Sequence, residues 1–553
     1  MMSVIVVILG LIVYAIAYFV YGKWFDRKIM ESNPKKTTPA HVYMDGVEFF
    51  PTSKYVLLGF QWKSIAAAGP ITGPIIAFKW GWLPALIWVL LGNLFIGWIH
   101  DYSGVMVSVK NEGASFGPLS YQLIGPRARL LLLSFITFYL LLSTSSYGMI
   151  VAKSYLGKYS TAPIIFLLVT IIAVIAGVST FKLKINVVYT TLAAIILMII
   201  VSYIGLHMPV TLPEWMAKDP YLFEDFWYFW VLLFCFIGSV TPIWLFVQPV
   251  NYMCFYLVYG TLIAVMLGVF VGHPDFNQPA FVSFIPTGMD PLVPLLFVTV
   301  ACGAISGWHS LVGSSISSKQ LDNEADALFV GGGAMLMEGI LSLTTIGAVA
   351  PLLPAEVKGL TAPDMVALGW AKSLGYLGFS VQGILPFVAA VIAVLVLTVL
   401  HLNLRIMRLG LAELFGARIP AFKNIYFASI IPCILAYLLG SSRFGGVLLY
   451  VWTLFGGANQ LLAGMNLVIA TLYLVRIKKP AYFTSIPAIF MLAICLSALA
   501  IMSYTTYITA MKATGLAIVG NLLATIVGVF LLILGIIFIY DSVKAYSRLK
   551  KAA

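Results

Sequence analysis

Apolar runs long enough to cross a membrane constrain this chain before anything else does. Val4 to Val20, Leu130 to Val151, Val187 to Gly205, Phe379 to Leu400 and Ile518 to Tyr540 reach or approach the roughly 20 apolar residues that a spanning helix needs. In hydrocarbon every backbone N–H and C=O has to be satisfied within the protein, which leaves helices and closed barrels. The period-two alternation of a barrel strand is absent, so the fold class is an all-α polytopic membrane protein. Only 9% of the residues are charged, against about 25% in soluble domains. The first run is followed by Tyr21-Gly-Lys-Trp24 without a small-residue cleavage site, which predicts a retained helix and not a signal peptide.

Hydropathy places about fifteen transmembrane helices, near 3–21, 64–79, 83–107, 130–151, 162–179, 186–206, 227–246, 251–272, 292–316, 328–350, 380–402, 425–440, 446–474, 483–503 and 514–540. With the N-terminus outside and the C-terminus in the cytoplasm, the Lys and Arg residues, Lys63 among them, fall about three to one on the cytoplasmic side, as orientation in an inner or plasma membrane requires. The formal charge of +12 is thereby accounted for by topology, and no nucleic-acid partner is implied. The five cysteines, Cys235, Cys254, Cys302, Cys433 and Cys495, stand singly in apolar stretches, and with no clustered histidines or cysteines the expectation is no metal site and no cofactor.

Function in such a bundle concentrates where a helix is interrupted at membrane depth, because freed backbone groups survive there only inside protein or beside water. Two segments have that character. Gly69-Pro70-Ile71-Thr72-Gly73-Pro74 carries two prolines and two glycines, each unfavourable in a helix interior. Ala301-Cys-Gly-Ala-Ile-Ser306-Gly307-Trp-His309-Ser310 is rich in glycine and serine. Gly69-Pro-Ile-Thr-Gly73 and Gly303-Ala-Ile-Ser-Gly307 match in outline, and the topology sends them through the membrane in opposite directions, the pattern of an inverted repeat. The resulting organisation is an extra helix and loop over 1–63, a first five-helix repeat over 64–206, a two-helix insertion over 207–291, a second five-helix repeat over 292–474, and two final helices over 475–553. A third patch, Phe455-Gly-Gly-Ala-Asn459-Gln460, puts two amides into an apolar span, where interhelical hydrogen bonding and solute coordination are both open readings.

These motifs, with Ile99-His-Asp101, Asn111-Glu-Gly-Ala-Ser115, Lys319-Gln-Leu-Asp-Asn-Glu324-Ala-Asp-Ala327 and Gly333-Ala-Met-Leu-Met-Glu338, resemble the carbon starvation protein A family of membrane transporters over about residues 54–480. The resemblance implies uptake of peptides or pyruvate under carbon limitation, coupled to an ion gradient. It also implies the LeuT-like core of five plus five inverted helices, with two of them interrupted, found in the amino acid-polyamine-organocation superfamily.

An ionisable group at membrane depth is costly enough, about 2.5–3.5 kcal/mol on insertion scales, to mark a functional position. Glu338 lies mid-span among apolar neighbours and suits a proton carrier, with a structural hydrogen bond as the other reading. Asp101, beside His100, and Ser314 are the further candidates for ion coupling, the ion being H⁺ or Na⁺. His309 follows the second break and could donate to a carboxylate substrate. The expected substrate-binding set is Gly69, Pro70, Thr72, Gly73, Pro74, Ser306, Gly307, His309, Ser310, Asn459 and Gln460, since cut helices expose backbone amides. The leading function is an ion-coupled importer of a peptide or monocarboxylate. The alternatives are an intramembrane enzyme using His309 or Asp101, for which no catalytic constellation is present, and a channel or non-transporting nutrient sensor. Oligomeric state leaves no mark in the sequence.

Overall fold

The computed structural model describes residues 2–46, 48–287, 290–444 and 448–552. Helices account for nearly all regular structure among them, apart from one isolated bridge between Thr52 and Leu321. Among the described residues twelve helices are long and apolar enough to cross a membrane, from Met2–Met30 to Ala517–Lys551, and each corresponds to one of the fifteen expected spans. The other three differ for physical reasons. Those near 64–79 and 292–316 are interrupted, and Ile425–Gly440 has 16 residues, short of the roughly 20 required. The start of the expected 446–474 span lies outside the described residues.

Seven elements build the centre, here labelled α1 (Lys54–Ile65), α2 (Gly69–Ile76), α3 (Trp82–Val109), α4 (Leu292–Thr299), α5 (Gly307–Val312), α6 (Glu324–Val349) and α7 (Trp452–Arg476). The first interruption falls earlier than the glycine–proline motif suggests. Ala66 leaves the helical region, with φ −69° and ψ 117°, and Gly69–Ile76 is itself helical. Pro70 stands in the first turn of α2, where a missing N–H costs nothing. Pro74 cannot donate to the Pro70 carbonyl one turn back, and the Ser342 hydroxyl on α6 donates to that carbonyl at 2.7 Å instead. The second interruption falls where expected. A single 3₁₀ turn, Ala301–Gly303, follows α4, Ser306 is extended (φ −152°, ψ 130°), and α5 restarts at Gly307.

The two interruptions pack against each other through glycine. A Cβ on Gly69 would lie 2.5 Å from Cys302 Sγ, and one on Gly73 would lie 2.7 Å from the Thr299 carbonyl oxygen. Small residues are what permit such approach between helices in lipid. α3 closes from one side, its Gly97 against Ala304 and its Gly104 against Ser310, and α7 from another, against Gly307.

The polar ends of the molecule sort into two faces. Outside the buried centre, every ion pair among the described residues joins two groups that the expected topology puts on the same side. Lys54–Asp326 (3.2 Å), Lys319–Glu48 (2.6 Å) and Arg129–Glu413 lie on one. Lys153–Glu224 (2.6 Å), Lys158–Asp364 (2.9 Å) and Arg443–Asp225 (3.0 Å) lie on the other. Lys63 is the correction to that tally. It is fully buried in α1, where its ammonium donates to the Leu395 carbonyl at 3.0 Å and to Thr398 Oγ1.

The crossing of the broken helices yields a stability prediction. Gly73→Ala forces backbone apart and is expected to cost about 1–3 kcal/mol. Gly260→Ala, with open space around it, is expected to leave stability unchanged or raise it by up to about 1 kcal/mol. Thermal unfolding of the purified variants in detergent measures both.

Candidate functional site

The second interruption leaves backbone polar groups unpaired within the bundle, and α7 supplies the partners. Asn459 Oδ1 accepts from the Trp308 N–H at 3.2 Å and from Ser306 Oγ at 3.1 Å, while Gln460 Nε2 donates to the Ala301 carbonyl at 2.5 Å. Ala301 is held at φ +41°, a region a side-chain-bearing residue rarely adopts. The two amides of α7 therefore stabilise an irregular backbone that hydrocarbon would otherwise reject. The Trp308 indole N–H donates to the Ser64 carbonyl at 2.8 Å, joining the second interruption to the end of α1.

This unwound turn delivers His309 into a row of ionisable groups without solvent exposure. His309 Nδ1 lies 2.8 Å from Asp101 Oδ2, and the other oxygen of Asp101 lies 2.7 Å from His100 Nδ1. His309 Nε2 lies 2.9 Å from Glu338 Oε2 but out of line for a hydrogen bond, so that Nε2 and both oxygens of Glu338 have no hydrogen-bond partner. Ser310 Oγ sits 3.1 Å from His100 Nε2. Asp101, His100, His309 and Glu338 are each 99% or more buried.

Donor and acceptor rules fix what this row lacks. Asp101 as a carboxylate accepts only, so each histidine offers it an Nδ1–H. A neutral His309 then presents the lone pair of Nε2 to a carboxylate oxygen 2.9 Å away, and two lone pairs at that distance repel. One positive charge between His309 and Glu338 removes the conflict. The row is built from three separate helical elements, α3, α5 and α6.

The sequence-derived residues distribute unevenly about this centre. His309, Asp101, Glu338 and Ser310 meet in it, and Ser306, Gly307, Asn459 and Gln460 hold the turn beside it. Gly69, Pro70, Thr72, Gly73 and Pro74 are buried in α2 and reach the centre through Cys302 and Ser342. Ser314 stands apart: its hydroxyl turns to the Leu311 carbonyl at 3.5 Å, and its own carbonyl accepts from Ser108 and Ser318. His100 carried a signal from sequence in its place beside Asp101, and it joins the centre. Cys302 and Lys63 carried none, since a lone cysteine in an apolar run and a lysine at a span boundary read as ordinary.

A cavity of about 280 Å³ is lined by Phe60, Leu311, Ser315, Lys319, Gln320 and Arg405 among others, and by none of the row residues. Leu311 is two residues on from His309. The cavity's outer lining includes Glu48 and Glu413, both on the face expected to be cytoplasmic.

Comparison with known proteins decides the family. The model for "Carbon starvation protein CstA" matches residues 2–382 and 362–498. The chain belongs to the carbon starvation protein CstA family. It is 28% identical to the peptide transporter CstA of Bacillus subtilis, an alignment covering 100% of this chain and 98% of that protein. It is likewise 28% identical to the pyruvate/proton symporter BtsT of Escherichia coli, over 91% of this chain and 82% of that one. The peptide transporter CstA of Escherichia coli is also 28% identical, over 86% and 77%. Of these three relatives, two are named for the transport of peptides and one for that of pyruvate.

Charge balance in the row yields opposite effects for its two acids. Glu338→Gln replaces a repelling oxygen by an amide able to donate to His309 Nε2, so its melting temperature is expected to equal or exceed that of the parent. Asp101→Ala strips both histidines of their acceptor and is expected to cost about 3–5 kcal/mol, the range for breaking a buried pair. Thermal unfolding in detergent separates the two.

Proposed function

We propose that this protein is a proton-coupled importer of small carboxylate nutrients, pyruvate-like acids or short peptides, working by alternating access around its two interrupted helices. The observation that carries the reading is the buried Asp101–His309–Glu338 row, whose chemistry calls for one exchangeable positive charge at the point where a helix is cut. Family membership and the names of the relatives, a pyruvate/proton symporter and peptide transporters, support a membrane transporter and a proton as its coupling ion.

The wider architecture in this proposal is a LeuT-like core of five plus five inverted helices within fifteen membrane segments, in which the two interrupted helices and Ile425–Gly440 complete the twelve long spans. The glycine contacts between α2 and the start of the second interruption support it, since related half-helices meet at the substrate site in such folds. The N-terminus faces outward and the C-terminus the cytoplasm, and the cavity beside Leu311 and Arg405 is the cytoplasmic vestibule. Substrate carboxylate binds at the cut ends, held by the backbone near Thr72 and Ser306 and by the hydroxyl of Ser310. Proton occupancy of the row and carboxylate binding then favour each other: a proton lowers the negative charge that an incoming anion meets, and at an effective dielectric of about 20, unit charges 4 Å apart interact by about 4 kcal/mol.

Uptake of labelled pyruvate and of a labelled dipeptide into proteoliposomes, with pH and Na⁺ gradients imposed separately, tests this. An inward proton gradient is expected to drive accumulation of at least one solute, and Glu338→Gln is expected to abolish that accumulation by tenfold or more while retaining exchange of labelled for unlabelled solute. Accumulation driven by Na⁺ alone, or flux indifferent to both gradients, contradicts the proposal.

A further inference from the structure

One side chain at the centre has no part in the proton reading. Cys302 is the middle residue of the 3₁₀ turn of the second interruption, and its sulfur faces the same space as His309. Cys302 Sγ, a ring nitrogen of His309 and a carboxylate oxygen of Glu338 all lie within 4.8 Å of one another. All three residues are buried, with Cys302 3% exposed and the others fully enclosed. His309 Nε2 and both Glu338 oxygens point into this space without a hydrogen-bond partner.

We propose that Cys302, His309 and Glu338 form a binding site for one thiophilic divalent cation of the zinc class. Sulfur, imidazole nitrogen and carboxylate oxygen are the ligand set that zinc and cobalt(II) take in tetrahedral sites, at about 2.0–2.3 Å from the metal. Magnesium and calcium prefer oxygen alone. Three ligands on such bonds stand about 3–4 Å apart, so the observed cluster closes on a metal by small side-chain movement. The surroundings are those of a metal site as well. Asp101 accepts from the far nitrogen of His309 at 2.8 Å, the arrangement that fixes a metal-binding histidine's tautomer and aims its free nitrogen. Asn459 Nδ2 donates to Cys302 Sγ at 3.4 Å, and the Tyr147 hydroxyl lies 3.7 Å from the same sulfur; both can stabilise a thiolate. The fourth coordination position belongs to no protein side chain of the cluster.

Such a cation would tie the chain before the interruption, through Cys302, to the chain after it, through His309, and both to α6. It therefore pins the turn, and in the transporter proposed above, on which this consequence alone rests, bound zinc arrests the cycle. Binding itself does not depend on the transport reading.

Cobalt(II) titrated into the detergent-purified full chain, with a non-thiol reductant present, tests the site. A tetrahedral cobalt spectrum with a sulfur-to-metal charge-transfer band is expected at one ion per chain. Cys302→Ser is expected to remove the charge-transfer band, and Asp101→Asn to weaken binding by about 10- to 100-fold, the usual effect of losing an outer partner of a metal-bound histidine. Zinc is expected to displace the cobalt and abolish that band. A spectrum unchanged by Cys302→Ser overturns the site even if pyruvate uptake is normal. Conversely, metal binding without gradient-driven uptake upholds the site and removes the transport reading.

Discussion

The fold is organised around an imidazole held between two carboxylates where water does not reach. His309 lies 2.8 Å from one oxygen of Asp101 and 2.9 Å from one of Glu338, and each residue comes from a different element. Two negative groups on one histidine in hydrocarbon surroundings is an arrangement a protein keeps only if something compensates it. Burying charge costs several kcal/mol per ion unless it is paired, which is why the proposed function places one exchangeable positive charge on this row.

The shape follows from that demand. His309 reaches the row because the helix carrying it stops at Gly303 and restarts at Gly307, and that gap is stable because Asn459 and Gln460 occupy its stray backbone groups. The companion interruption after α1 is secured differently, by the Trp308 indole on Ser64 and the Ser342 hydroxyl on Pro70. Each repair comes from a neighbouring segment, so a shift of one half-helix has to exchange its hydrogen bonds with the other. In the transport cycle proposed above, that coupling links the occupancy of the small polar centre to the larger arrangement of helices.

Much of this was legible in sequence. The apolar runs located the twelve long helices because lipid leaves few alternatives to a helix. The glycine-serine stretch at 301–310 marked a true interruption. The glycine–proline motif misled about position, since proline in a first turn is harmless and the break moved upstream to Ala66. The row itself was half visible: Glu338, Asp101 and His309 stood out as ionisable groups at membrane depth, but nothing in their spacing over more than 200 residues said that they touch. Lys63 and Cys302 were hidden because their roles arise from what folds against them, helix Val381–Phe415 for the first and the interrupted turn for the second.

The central claim is that the row carries a single exchangeable positive charge linked to substrate movement. The direct measurement is the internal pH of proteoliposomes, reported by an enclosed dye, when the preferred solute is added outside with no gradient imposed. The account predicts acidification of the lumen that follows solute entry and vanishes in Glu338→Gln. Solute entry with no change in internal pH would contradict it.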